Sequence, residues 1–191
     1  MTRDPTEADW LKRRLAILAA KDRGDVSYLL GALLDPDHRT LAAKSLGEFG
    51  AVEATEPLLR LLDAVDPHVR AEAATTLGQL GAQRALPRLR EIALADEEAF
   101  VRSWAIGAIG SLGDPNDLDF LLPMLNDPSW RVRAASVQAL GRIGDPRALE
   151  PLRGARRRLR RSPVEWYLYR RLYSRTINAL TRGSADDAAD D

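Results

Sequence analysis

Apolar residues recur at helical spacing along most of the chain. Val69, Ala73, Leu77 and Leu80 stand three or four apart, and no segment shows the sustained alternation of a half-buried strand. The predicted elements are therefore all helical. The pattern also repeats. Segments with paired glycines, Leu46-Gly47-Glu48-Phe49-Gly50, Leu77-Gly78-Gln79-Leu80-Gly81, Ile109-Gly110-Ser111-Leu112-Gly113 and Leu140-Gly141-Arg142-Ile143-Gly144, succeed one another in steps of 31, 32 and 31 residues. An arginine stands upstream of each pair, at Arg39, Arg70, Arg102 and Arg133, the last three following Val69, Val101 and Val132. Leu29, Leu58, Leu89, Leu121 and Leu152 keep nearly the same step. A fixed period of this length means that no unit buries its apolar face alone, and each is covered by its neighbour.

Each unit reads as a helix A, an acidic turn, a helix B and a glycine-bearing turn. The turns are Asp35-Pro36, Asp66-Pro67, Asp96 with Glu97 and Glu98, and Asp127-Pro128. An acidic cap followed by proline suits a helix start, because the first turn leaves amides unbonded and proline has none to leave. The glycine near the end of helix B serves close packing or a left-handed C-cap. Ala73, Ala74, Ala105 and Ala135 are small enough to let neighbouring helices approach.

Asp4-Pro5-Thr6-Glu7 opens an N-terminal capping helix that runs to about Asp22 and occupies residues 1–24. Four repeats fill residues 25–145. A basic C-terminal helix pair follows over 146–182, its second helix opened by Ser162-Pro163-Val164-Glu165 and predicted to end near Leu180. That helix is expected to close the stack through Val164, Leu168, Leu172, Ile177 and Leu180. Residues 183–191 carry four aspartates and no large apolar side chain, which predicts a disordered acidic tail.

The unit Asp-Pro-x-x-Val-Arg, an Ala-rich helix, Leu-Gly-x-Leu/Ile-Gly, and then Ala148-x-x-Pro151-Leu152 at the next helix A resembles HEAT repeats. It is most similar to the short HEAT-like type of phycobilisome lyase subunits, over roughly residues 25–155. Unit 1 departs from the pattern with His38 where valine is usual, and unit 3 lacks the proline. The resemblance implies a right-handed α-solenoid of four to five helix pairs with terminal capping helices, the B helices lining a concave binding face. Bilin lyases of this repeat type attach or isomerise a tetrapyrrole on a phycobiliprotein, and some alkylpurine DNA glycosylases use HEAT-like units. The resemblance lies in the scaffold and not in a catalytic motif, so neither activity transfers with it.

Composition narrows the chemistry. With no cysteine among 191 residues, disulfides, zinc–thiolate sites, iron–sulfur clusters and thiol nucleophiles are excluded. Long uncharged stretches such as Ser103 to Gly113 reach 11 residues, short of a membrane span, and the charged start makes a poor secretory signal. The expectation is a cytoplasmic protein without membrane attachment. His38 and His68 are the two histidines, and a site built on them would need further ligands; no Walker loop, Gly-x-Ser-x-Gly or His-Glu-x-x-His occurs. No metal, cofactor or catalytic residue is expected.

The candidate sites are therefore binding sites. On the B helices, positions the scaffold does not require are Thr40 and Lys44; His68, Glu72 and Thr75; Phe100, Ser103 and Trp104; and Trp130, Arg131, Ala134 and Gln138. Clustered aromatic and arginine side chains are the usual composition of protein-binding hot spots, although the rings can equally fill grooves between repeats. The row Arg39, Arg70, Arg102 and Arg133 lies in register with the turn acids Asp35, Asp66, Glu98 and Asp127 and reads as a structural ladder. Arg153, Arg156, Arg157, Arg158, Arg160, Arg161, Arg170 and Arg171, interleaved with aromatics, form a candidate polyanion-binding block, a solvated cap, or a block that pairs with the acidic tail. Formal charge is zero but segregated: −5 over 1–152, +9 over 153–182 and −4 over 183–191. The function expected is a non-catalytic protein-binding adaptor or assembly factor, monomeric or weakly self-associating. The alternatives are a nucleic-acid-associated module and, third, a bilin lyase-like chaperone.

Overall fold

The computed structural model describes residues 5–160 and 162–187, with side chains from 7 to 182. Arg161 and residues 188–191 lie outside the described residues, as does the capping Asp4. The chain divides into two compact units, Met1–Arg88 and Leu89–Asp191. All regular structure among the described residues is helical.

In the first unit, α1 (Pro5–Arg23) packs on α2 (Val26–Ala32) and on α3 (Arg39–Phe49), while α5 (Pro67–Gln79) packs on α3 and on α4 (Thr55–Leu61). Ile17, Leu29, Leu46, Leu58, Leu62 and Leu77 form its buried interior. The junction lies in α6 (Leu86–Ala95). The second unit continues with α7 (Ala99–Leu112), α8 (Leu118–Leu121), α9 (Trp130–Ile143), α10 (Leu149–Leu159) and α11 (Pro163–Asp187). There α7 packs on α9, and α11 packs on both α9 and α10. Short 3-10 turns, such as Pro115–Asp117 and Pro146–Ala148, lead into the A helices.

The two glycines of each pair do different work. The second of each pair, Gly50, Gly81, Gly113 and Gly144, has φ between 66° and 81°, where a β-carbon would be strained. The first is a packing glycine: a β-carbon on Gly110 would meet Ala139 of α9, and one on Gly47 would meet Thr76 of α5. Both readings that the spacing left open are therefore realised, at different positions.

The turn acids cap helices. Asp66 Oδ1 accepts from the His68 amide at 2.8 Å, and Asp127 Oδ1 from the Ser129 amide at 2.7 Å. Asp96 does the same for Glu98 at 3.0 Å without any proline. Repeat 1 differs, because α3 starts only at Arg39, after a turn in which His38 is buried.

Two expectations at the C-terminus need correction. The last helix does not stop near Leu180 but runs to Asp187, so the first five residues of the segment assigned to a disordered tail are helical. Nor does Val164 or Leu168 help close the stack: they are 69% and 57% exposed, while the expected Ile177 and Leu180 are buried together with Tyr173 and Thr176. The buried stripe is rotated because Thr176 seats against Gly141 of α9. That contact points the turn carrying Val164, Tyr167 and Leu168 outward.

Candidate functional site

In the second unit, the B-helix candidates lie on the adjacent helices α7 and α9. Phe100 and Ser103 are half-buried, Ser103 donating to the Phe100 carbonyl at 2.7 Å, and Trp104 one turn on is 51% exposed. On α9, Trp130 is 42% exposed, Arg131 and Gln138 are exposed, and Ala134 is half-buried. Trp130 stacks on Tyr169 of α11, with ring centroids 5.2 Å apart and planes at 29°. The Arg131 guanidinium carbon lies 4.7 Å from the Trp130 centroid. Trp130 thus both covers the joint between two helices and stays accessible, its indole fixed by one aromatic neighbour and one cation.

Sequence reasoning named Arg133 as a ladder residue and missed the partners it has around that stack. Arg133 Nη2 donates to Glu165 Oε2 at 2.7 Å, and Tyr173 is buried beside them. Burial pushes both the Tyr169 and Tyr173 phenols up from their ordinary value, with Glu165 adding to the effect at each. A cleft of about 410 Å³ opens here, lined by the turn Leu125 to Pro128, Arg133, Arg158, Ser162, Glu165 and Tyr173. Within it Arg133 is paired with Glu165, and Arg158 donates to the neutral Asn126 amide oxygen at 2.7 Å. The signal that locates it is the Glu165 that follows Ser162-Pro163, two helices beyond Arg133.

In the first unit, Lys44 and His68 are exposed, and Thr40, Glu72 and Thr75 are half-buried. Lys44 lies 3.9 Å from Glu48, which also pairs with Lys21 and is held below its ordinary range chiefly by that lysine. Thr75 spends its hydroxyl on the Ala71 carbonyl at 2.9 Å. Glu72 goes the other way: burial, with a smaller push from Glu48, raises its carboxyl above 4.5 against the pull of Lys44 and Thr76. An acid with a raised folded pKa binds its proton more tightly folded than unfolded. Its favourable contribution is therefore present in acid and lost as pH rises through the raised value. Glu72→Gln should accordingly raise the melting temperature at pH 7 and lose that advantage near pH 4, measured by circular dichroism melts at the two pH values. An equal shift at both pH values would contradict this reading.

His38 cannot serve a metal in this conformation. Its Nδ1 lies 3.2 Å from Asp35 Oδ2 and its Nε2 3.1 Å from the Trp10 carbonyl, with the Trp10 ring 5.4 Å away. Arg13 completes the contact by donating to Asp35 at 3.0 Å, which holds that carboxyl below its ordinary range. No group of three or more potential metal ligands occurs among the described residues.

The arginine row uses carbonyl oxygens before carboxylates. Nη1 of Arg70 reaches Ala64 O and Val65 O, that of Arg102 reaches Asp96 O and Glu97 O, and that of Arg133 reaches Asp127 O and Pro128 O, all at 2.7–3.3 Å. The ladder is open to turn carboxylates of the same or the adjacent unit, and within each unit Asp66, Asp96 and Asp127 are spent on helix amides. The second nitrogen instead spans to the next repeat, from Arg102 to Asp127 at 3.6 Å and from Arg133 to Glu165. Arg39 is the exception, its Nε buried without a hydrogen-bond partner.

The basic block is distributed over α10 and α11. Arg153 pairs with Glu150 at 2.6 Å, Arg156 lies 3.4 Å from Ser174 Oγ, and Arg157 and Arg171 are exposed. Arg160 stands over Trp166 and Arg170 over Tyr167, each 5.4 Å from the ring centroid. No helix among the described residues is long and apolar enough to cross a membrane.

A family model described as HEAT repeats matches residues 26–110 and 92–168. Among solved structures, an engineered protein superposes with a TM-score of 0.61 at 20% identity, covering 89% of this chain and 85% of that one. The complex of CpcE and CpcF of phycocyanin lyase from Nostoc sp. PCC7120 gives a TM-score of 0.58 at 23% identity, covering 85% and 98%. No curated protein matches. At these identities the structural likenesses concern the fold.

Proposed function

Because the chain belongs to the HEAT-repeat family, we propose that it is a non-catalytic protein-binding scaffold whose partner docks on the B-helix face of the second unit. The observation that carries this reading is the pair of half-exposed indoles, Trp104 and Trp130, on adjacent helices, one held between Tyr169 and Arg131. A large ring with fixed orientation loses little entropy on burial, so it suits the centre of an interface. The exposed Gln138 and Arg131 supply polar groups for the rim.

Replacing Trp104 and Trp130 together by alanine should reduce recovery of the partner by more than tenfold in affinity purification with mass spectrometry, with the helical circular dichroism signal retained. An unchanged set of partners from an intact double variant would overturn the proposal. A chaperone role toward a phycobiliprotein has the shared repeat scaffold behind it. The same purification tests it, since recovery of a phycobiliprotein subunit would favour that narrower role.

A further inference from the structure

We propose that the outward face of α11, with the arginines of α10 beside it, binds single-stranded nucleic acid. The face is separate from the indole pair on α7 and α9 and is independent of it. Residues 153–182 hold ten arginines and one acid, Glu165, which already belongs to Arg133. Apart from Arg153 with Glu150, no arginine of that segment forms an ion pair among the described residues. Such a density of unmatched cations attracts a polyanion and gains by releasing its counterions.

The rings decide which polyanion. Tyr167 is 72% exposed, and guanidinium groups lie over Tyr167 and over Trp166. A guanidinium laid on a ring keeps its N–H edges available to phosphate, and the exposed tyrosine offers a surface on which an unpaired base can stack.

Other occupants fit less well. A membrane surface needs an apolar stripe along the helix, but the face of Val164, Tyr167 and Leu168 continues as Arg171, Arg175, Asn178 and Arg182, all exposed. A further repeat, or a second copy stacked as one, needs a packing glycine. Gly47 meets Thr76 and Gly110 meets Ala139, in each case the residue two before the next packing glycine. Gly141 meets Thr176, so the equivalent position on α11 is Asn178, whose side chain blocks the close approach. In that register Arg170 occupies the ladder position, yet it lies over Tyr167 and not on a turn carbonyl.

Fluorescence anisotropy of the whole protein with a labelled oligo(dT) of about 20 nucleotides tests this. Micromolar binding at 50 mM salt is expected, weakening steeply as salt rises. Tryptophan emission should be quenched on binding, and inorganic polyphosphate of equal charge should compete about tenfold less well, lacking bases. Arg170→Gln with Arg171→Gln should weaken binding about tenfold and reduce the salt slope by about 1.4. Tyr167→Ala should weaken oligo(dT) about fivefold and leave polyphosphate unchanged. Tyr167 and Arg171 are exposed, and circular dichroism checks that the variants fold. The proposal is overturned by absent binding at 50 mM salt or by binding that neither variant changes. It is equally overturned if polyphosphate, polyglutamate or anionic vesicles compete as well as the oligonucleotide.

Discussion

Gly110→Ala should lower the stability of the second unit by about 3 kcal/mol or more, the upper end of what overpacking costs. A β-carbon there would lie 2.5 Å from Ala139 Cα and 2.6 Å from its Cβ. The obstacle is partly backbone, so relief requires α7 and α9 to move apart, and they form the main helix contact of that unit. At 2–4 °C per kcal/mol for a chain of this size, the melting temperature should fall by about 6–12 °C. Gly107 in the same helix is the internal control. Nothing stands within 4 Å of its added β-carbon, so Gly107→Ala should gain about 0.5–1 kcal/mol from helix propensity. Gly47→Ala and Gly141→Ala should fall between, since they meet the side chains of Gln79 and Thr76 or of Thr176, which can shift. Urea unfolding of the four variants checks the order. A Gly110→Ala protein no less stable than Gly47→Ala would refute the packing argument.

Arg90→Ala should cost about 3–5 kcal/mol by stranding a buried carboxylate. Asp117, fully buried in the turn before α8, accepts from Arg90 Nε at 2.6 Å through Oδ1, and its Oδ2 has no hydrogen-bond partner. The neighbouring Asp114 lies 3.8 Å from Arg90 Nη2 and cannot replace the lost donor. Arg90 is itself held above its ordinary range, chiefly by the hydrogen bond it donates to Asp117. Removing both charges tests whether the pair or the isolated charge sets the cost. Arg90→Met with Asp117→Leu should recover most of the loss in denaturant unfolding, because a well-packed apolar pair avoids the desolvation of either ion. A double variant as unstable as Arg90→Ala would show that the loss came from packing.

The repeat period was legible because it is written in local chemistry. Asp66 caps His68, Pro67 opens α5 and Gly81 closes it at φ 66°, each within a few residues. What escaped was pairing across repeats. Nothing in the order of residues tells that Arg90 will find Asp117 or that Trp130 will stack on Tyr169, 27 and 39 positions away. The candidate residues were therefore placed on the right helices without their neighbours. The error at Val164 and Leu168 has the same origin: helical periodicity offers more than one stripe on α11, and the contact between Thr176 and Gly141 selects among them.

The sequence alone determined an all-helical HEAT repeat array, its turns and its caps, since capping, left-handed glycines and helical periodicity act over four or five residues. It also determined the segregated charge. Tertiary structure decided which glycine of each pair packs and which turns, and that the turn acids cap amides while the arginines take carbonyls. It also decided which indoles stay half exposed and that α11 turns its basic, aromatic side outward. These outcomes depend on close approach between surfaces about thirty residues apart, where a few tenths of an ångström at Gly110 or Gly141 determine what can fit.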